Sequence, residues 1–210
     1  SCMSTYCFPT DATNPLTPYQ IHIGDPHSRN YAYAYAKIML EVQSRAYREQ
    51  YGCNFVTVIP CNIYGPNDNY NLDSSHVIPA LIRKCYEAKS TNTDFQLWGT
   101  GKAYRELVYS EAVGKVVDWV LKNYNSPEPL IISPDEEFSI TIVAQEIAWR
   151  MKYDGTIVSN GERDGIIRKP SDNSKLKSLL PDFRFTSIQE GLEKSIQWFI
   201  NNIDKDKIRL

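Results

Sequence analysis

The stretch "YAYAYAK", residues 31–37, decides the fold. Tyrosine at every second position is the period of a β-strand, but alanine fills the gaps and "IMLEVQSRAYREQYG" follows. Alanine and the following Glu, Gln and Arg are strong helix formers. Asn30 suits the start of a helix and Gly52 its end, so the spacing predicts a helix over 30–51. On that helix, residues four apart share a face, about 40° from each other. Tyr33 and Lys37 meet this condition, whereas Tyr31 and Tyr35 point elsewhere. A phenol has an ordinary pKa of about 10, and an ammonium beside it favours the phenolate. Such a pair suits proton transfer to a carbonyl oxygen. Taken alone, Y-x-x-x-K on a helix in a chain with 14 tyrosines is more readily a chance match than a functional pair.

Working outward, elements alternate. Strands are predicted over 55–60, 94–98, 104–110, 129–134 and 156–160, and helices over 78–88, 111–124, 139–151 and 173–181. A last helix carries Ser187 and Glu190 as a capping box and an apolar stripe of Ile188, Leu192, Ile196 and Phe199. Ser110 is expected to cap its helix, and Ser139 or Thr141 the next. Gly99-Thr100-Gly101 reads as a hairpin turn, "DEEF" at 135–138 as a solvated turn, and 61–76 as a loop. Strand–helix alternation argues α/β. Trp119, Trp149 and Trp198 fall in apolar helical stripes and read as core or interface. His22 and His27 read as loop residues.

Composition narrows the function classes. The chain has 210 residues, 42% of them hydrophobic, with a formal net charge of −2. Basic residues are interspersed with acids, which argues against nucleic-acid and polybasic membrane partners. No apolar run reaches membrane-spanning length. The five cysteines (Cys2, Cys7, Cys53, Cys61 and Cys85) form no C-x-x-C pair, so neither a zinc site nor a disulfide framework is expected, and a reduced, cytoplasmic protein is. Cys53 and Cys61 read as small buried residues.

Tyr33 and Lys37 have company. Ser4-Thr5 lies upstream, before "CFP", and "PCNIYGPNDN" and His76 lie downstream. With "SCMSTYCFP", "GDPHSRNYAYAYAK", "SSHVIPALIRK", "WGTGKAYRELVYS" and "SDNSKLKSLLPDFRFT" in order, the chain resembles the extended short-chain dehydrogenase/reductase superfamily and, more narrowly, its GDP-L-fucose synthase family. The resemblance implies an NAD(P)-binding Rossmann-like fold with a smaller α/β substrate-binding lobe. Residues 1–65, with later segments returning, would belong to the cofactor domain and 66–210 mainly to the lobe.

The resemblance also implies residue roles. Ser4, Tyr33 and Lys37 form the reductase triad. Pro60, Cys61, Asn62 and Ile63 line the nicotinamide of NADP(H), which Lys37 and His76 also approach, and His76 is the acid of epimerisation. Lys84, Trp98, Arg105 and Asp164 hold the GDP-sugar. The family's epimerase base is a cysteine two places after the serine, where this chain has Tyr6. Cys7, next to it, is the candidate replacement, provided that the loop bends to present it. Without the resemblance, His76 reads as a cap or surface histidine and Asp164 as a turn former. A homodimer through the Tyr-Lys helix and the next long helix is implied, with Tyr31, Tyr35, Met39 and Val42 as candidate contacts.

One motif is missing. A dinucleotide-binding domain opens with G-x-G-x-x-G between strand and helix, and the ten glycines contain no such run. The chain lacks an initiator methionine and enters the motifs at once, so a C-terminal portion is expected. It is either an enzyme completed by an N-terminal half or an inactive nucleotide-sugar-binding or partner-binding remnant, with another nucleotide-sugar epimerase or reductase of the superfamily as the alternative activity. The strand at 55–59 is then expected to lack parallel neighbours and to expose apolar surface.

Overall fold

The computed structural model describes residues 1–161, 164–203 and 208–209. In chain order the helices are α1 (Tyr31–Tyr51), α2 (Val77–Thr91), α3 (Ser110–Asn123), α4 (Ile140–Arg150), α5 (Ser174–Leu179) and α6 (Ile188–Asn202). The strands are β1 (Val58–Pro60), β2 (Asn62–Tyr64), β3 (Phe95–Leu97), β4 (Tyr104–Tyr109), β5 (Leu130–Ile132), β6 (Glu137–Ser139) and β7 (Ile157–Ser159). The chain divides into two compact units: Ser1–Ile63, Glu106–Glu136 and Lys169–Phe185 make the first, and Tyr64–Arg105, Glu137–Arg168 and Thr186–Leu210 the second.

In the first unit β1 and β5 pair in parallel, with Val58 opposite Leu130 and Pro60 opposite Ile132. The chain start also runs parallel to β1, through a Cys2–Val58 bridge and a Met3 N–H bond to the Val58 carbonyl of 2.8 Å. The expectation that this strand lacks parallel neighbours is therefore overturned, because sequence-distant segments flank it. The apolar surface expected to be exposed there is buried at Val58, Ile59 and Pro60, and only Phe55, before the strand proper, is exposed. Side chains alternate across a pleated strand, and here the two sets have separate destinations. Val58, Leu130 and Ile132 pack in one cluster with Val113, Val116 and Val120 of α3. Ile59 and Ile131 pack in another with Ala34 and Ile38 of α1. Helices on both faces explain why these strands are apolar throughout.

α1 begins after Asn30 and ends at Gly52, whose φ of 66° is left-handed. Its buried stripe is Ala34, Ile38 and Glu41, a 4-then-3 spacing that makes Tyr33 and Lys37 the flank of the stripe. The tyrosine alternation is thus helical, and Tyr31, Tyr35 and Met39 are exposed while Val42 packs on the core. His22 is more than a loop residue: its Nε2 lies 2.9 Å from Oε2 of the buried Glu41.

In the second unit β3 pairs in parallel with β7, Phe95 opposite Ile157 and Leu97 opposite Ser159. The 99–101 turn therefore joins strands of different sheets and is not a hairpin. The local glycine signal was right about a turn but silent on the partner, which lies some 60 residues away in sequence. Glu137 and Phe138, expected in a solvated turn, form β6 together with Ser139. Tyr109, not Ser110, occupies the N-cap of α3, and Ser139 caps α4 by accepting the Ile142 N–H at 3.2 Å. α6 buries Ile188, Leu192, Ile196 and Phe199 as its pattern predicts, and Ser187 accepts the Glu190 N–H. Trp119 lies partly buried against the α3 cluster and Trp198 stacks 6.0 Å from Tyr70. Trp149 is exposed, which removes it from the core. Among the described residues, no helix is long and apolar enough to cross a membrane and no His/Cys/Asp/Glu group is arranged for a metal. All five cysteines are free thiols.

Candidate functional site

In the first unit, Ser4 is extended (φ −153°, ψ 153°) and caps a single 3-10 turn, Thr5–Cys7. Its Oγ accepts the Tyr6 N–H at 3.3 Å. The turn packs on α1, so Cys7 shares an apolar cluster with Ala34 and Ile38. This places the Ser4 segment beside the helix that carries Tyr33 and Lys37. Lys37 Nζ lies 5.7 Å from the Tyr33 ring centroid. Tyr33 is 49% exposed, an accessible phenol on a rigid helix.

The electrostatics differ from the expectation of a lowered phenol. Partial burial, followed by the proximity of Cys7, Cys2 and Tyr6, holds Tyr33 above the usual tyrosine range. The ammonium faces the ring rather than offsetting that desolvation, so the phenol rests protonated. Cys7 has 0% exposure. The segment does bend, but the bend turns Cys7 inward and Tyr6 outward. Burial pushes the Cys7 thiol up, against smaller opposing effects of Lys37 and Lys169. That is opposite to what a thiolate base needs.

The 60–63 segment leaves the C-terminal end of β1, the edge where ligands bind in parallel α/β sheets. Pro60 and Cys61 are buried, Asn62 is half-buried and Ile63 exposed. Burial, then Glu106, drives the Cys61 thiol well up, in keeping with a packing role. Asn62 Nδ2 donates to the Glu106 carbonyl at 2.9 Å.

The second unit carries the other candidates. His76 is the exposed N-cap residue of α2, and burial raises the nearby Asp68 carboxyl against the hydrogen bond it accepts from the Asn69 N–H. Lys84, on α2, holds Nζ 6.0 Å from the centroid of Trp98, a ring 75% exposed. Burial lowers the Lys84 ammonium. Arg105 Nη1 donates to the carbonyls of Tyr104 and Ile166, at 2.6 and 2.8 Å. Asp164 binds Thr100 twice: Oδ1 accepts its N–H at 2.9 Å and Oδ2 its hydroxyl. These bonds, with smaller effects of Arg105 and Lys102, hold the Asp164 carboxyl below the usual range. Gly99 is required here: its φ is +72°, and a Cβ would lie 2.3 Å from Asp164 Oδ1. Asp164 is thus the anchor of the 99–101 loop, more than a turn former.

The structure groups Tyr33, Lys37, Tyr6 and Cys7 around α1, Lys84 with Trp98, and Arg105 with Thr100 and Asp164. Sequence reading missed Thr100 and the carboxylate of Glu106, since neither belongs to a local motif.

The family model of the NAD dependent epimerase/dehydratase family matches residues 2–133. GDP-L-fucose synthase of Dictyostelium discoideum is 47% identical over 207 residues, which cover 97% of this chain and 65% of that protein. The probable GDP-L-fucose synthase of Drosophila melanogaster is 40% identical, with 98% of this chain and 67% of that protein covered. The crystal structure of a GDP-L-fucose synthetase from Naegleria fowleri superposes with a TM-score of 0.96 at 38% identity, over 100% of this chain and 66% of that one. A second structure of the Naegleria protein, bound to NADP, gives the same TM-score over 65% of its chain. The chain thus spans about two thirds of the length of the relatives it matches. With 132 of its residues inside the family model and relatives aligned along nearly all of it, the chain belongs to the NAD dependent epimerase/dehydratase family, within which it is similar to GDP-L-fucose synthases.

Proposed function

We propose that this chain carries the reductase and sugar-binding parts of an NADP(H)-dependent enzyme that makes GDP-L-fucose from GDP-4-keto-6-deoxy-D-mannose. The observation that carries this reading is the placement of the Tyr33 phenol and Lys37 ammonium on α1, against the turn headed by Ser4.

The residues fit the nicotinamide end of the cofactor. Lys37 makes no ion pair or hydrogen bond with another described residue, so its ammonium is available for a ribose hydroxyl. Pro60, Cys61, Asn62 and Ile63 sit at a strand's C-terminal edge, the expected side for the ring. When bound, the cofactor supplies hydride to the C4 carbonyl carbon. Tyr33 then donates its proton to the carbonyl oxygen. Ser4 Oγ hydrogen-bonds the same oxygen. Lys84 and Arg105 suit a diphosphate by charge, Trp98 offers an apolar stacking surface, and Asp164 holds the 99–101 loop. His76 is assigned to proton donation during epimerisation, and its exposed position is compatible with that. The first unit is read as the cofactor-binding part and the second as the substrate-binding part.

Epimerisation is read as weakened. Removal of protons beside the C4 ketone needs a base, and in this chain the thiol is buried and Tyr6 occupies the exposed place. The pyrophosphate cradle is assigned to residues outside these 210, because they contain no glycine-rich strand–turn–helix. The free thiols accord with a reducing, cytoplasmic setting, and the exposed tyrosines of α1 accord with a homodimer.

NADPH titrated against the chain, alone and with the glycine-rich N-terminal part of a GDP-L-fucose synthase supplied, tests this reading. We expect weak binding alone and NADPH oxidation by the 4-keto sugar in the completed enzyme. A completed enzyme that binds both ligands but leaves the ketone unreduced would overturn it.

A further inference from the structure

Two successive backbone carbonyls just after the Ser4 turn, those of Phe8 and Pro9, accept hydrogen bonds from one side chain 160 residues away: Lys169 Nζ lies 3.3 and 3.2 Å from them. The same ammonium sits 5.9 Å from the Phe8 ring centroid. Phe8, Pro9 and Cys7 are buried; the Pro9 carbonyl also accepts the Ala12 N–H at 3.3 Å, and buried carbonyls such as that of Phe8 are paired within the protein.

Lys169 is itself held. Leu16 N–H donates to the Pro170 carbonyl and Asp172 N–H to the Leu16 carbonyl, both at 2.8 Å. Ser171 binds the carboxylate of Glu106 through both its N–H, at 2.8 Å, and its hydroxyl, at 2.6 Å. Glu106 is buried, and its backbone carbonyl receives Asn62 Nδ2. Residues 169–172 therefore form a strap tied at one side to the 8–16 loop and at the other to a buried carboxylate. A backbone that leaves this unit after Glu136 and comes back to it at Lys169 supplies the cation.

From this arrangement we infer that Lys169 is a positioning residue: the Glu106–Ser171 pair presents its ammonium to the Phe8 and Pro9 carbonyls, and this fixes the turn from which Ser4 projects. An ammonium suits the task because it carries three donors and no acceptor, and charge-assisted bonds are the stronger kind. The role in fixing the turn stands on the geometry alone; its catalytic consequence rests on the reductase reading above.

The experiment has two arms. Hydrogen exchange is measured on the 210-residue chain as Lys169→Met, Ser171→Ala and parent. Amides of residues 5–12 are expected to exchange at least about tenfold faster in Lys169→Met, with a smaller change in Ser171→Ala, while α3 keeps its protection and so reports an intact fold. Unchanged protection over 5–12 would overturn the inference, whatever the enzyme does. Ketone reduction is then measured in the completed enzyme. Lys169→Met is expected to lower kcat on the order of 10- to 100-fold, the scale of a slightly misplaced catalytic group, with KM for the sugar nucleotide within about twofold. Faster exchange with an unaltered kcat would overturn the positioning role, and a parent enzyme that reduces nothing would sink the functional reading while the exchange arm still decides this one.

Discussion

Lys37 Nζ and the Tyr33 ring centroid are 5.7 Å apart, one turn along α1. The ammonium lies over the aromatic face, where it is attracted by the ring, and Tyr33 as a residue is half-exposed. The same helix buries Ala34 and Ile38 beneath them, so the pair rides on a backbone fixed by core packing.

The inward turn of Cys7 sets its reactivity. Its thiol is pushed up by burial, and only the thiolate reacts quickly with alkylating agents. Iodoacetamide at pH 7.5, read by peptide mass spectrometry, is expected to modify exposed Cys2 well before Cys7. Equal labelling of the two would show that Cys7 reaches solvent as a nucleophile.

Tyr6 occupies the exposed position beside Ser4. If its lack of a thiol limits epimerisation, Tyr6→Cys should speed turnover of the unepimerised 4-keto sugar in the completed enzyme and leave turnover of the epimerised one within about twofold, since uniform binding is unaffected. Equal parent rates on the two sugars would contradict this account of epimerisation.

Gly99 has two reasons to be glycine, a left-handed backbone and the Asp164 carboxylate 2.3 Å from where a Cβ would stand. Gly99→Ala is expected to cost about 1–3 kcal/mol in urea unfolding. A neutral substitution would show that the 99–101 loop and Asp164 separate freely.

Asp164 should titrate below an ordinary aspartate, because it accepts two bonds from Thr100. A carboxyl depressed by folding stabilises the native state above its unfolded pKa of about 3.9. That contribution is lost as pH falls through the lower folded value. Carbon-detected NMR of the carboxyl should show this depression, and Thr100→Val should move the midpoint back up. An ordinary midpoint in the parent would mean that the bonds do not persist in solution.

How far the sequence was legible follows from the range of each signal. α1 was readable from 30–52 alone, because alanines, an N-cap and a terminal glycine are local. The stripe Ile188, Leu192, Ile196 and Phe199 was readable for the same reason. β3 was found, but its partner was not: Phe95 meets Ile157 through a parallel register that no turn encodes. The parallel alignment of residues 1–3 with Val58 was hidden likewise. At the site, Tyr33 and Lys37 follow from helical spacing. Ser4 needed the resemblance. The inward rotation of Cys7 depends on a 3-10 turn packed against α1, and the raised phenol of Tyr33 depends on that burial. Lys169 and Glu106 act across long sequence separations, which leave no local pattern.

Tyr33 is proposed to deliver the proton during ketone reduction, and Tyr33→Phe removes only the hydroxyl that would do so. The measurement is the rate of NADPH oxidation by the 4-keto sugar in the completed enzyme, with NADPH affinity determined alongside. Removal of a positioned general acid is expected to lower the rate on the order of 10²- to 10⁴-fold while NADPH binds as before. A Tyr33→Phe enzyme that reduces the ketone as fast as its parent would contradict the account.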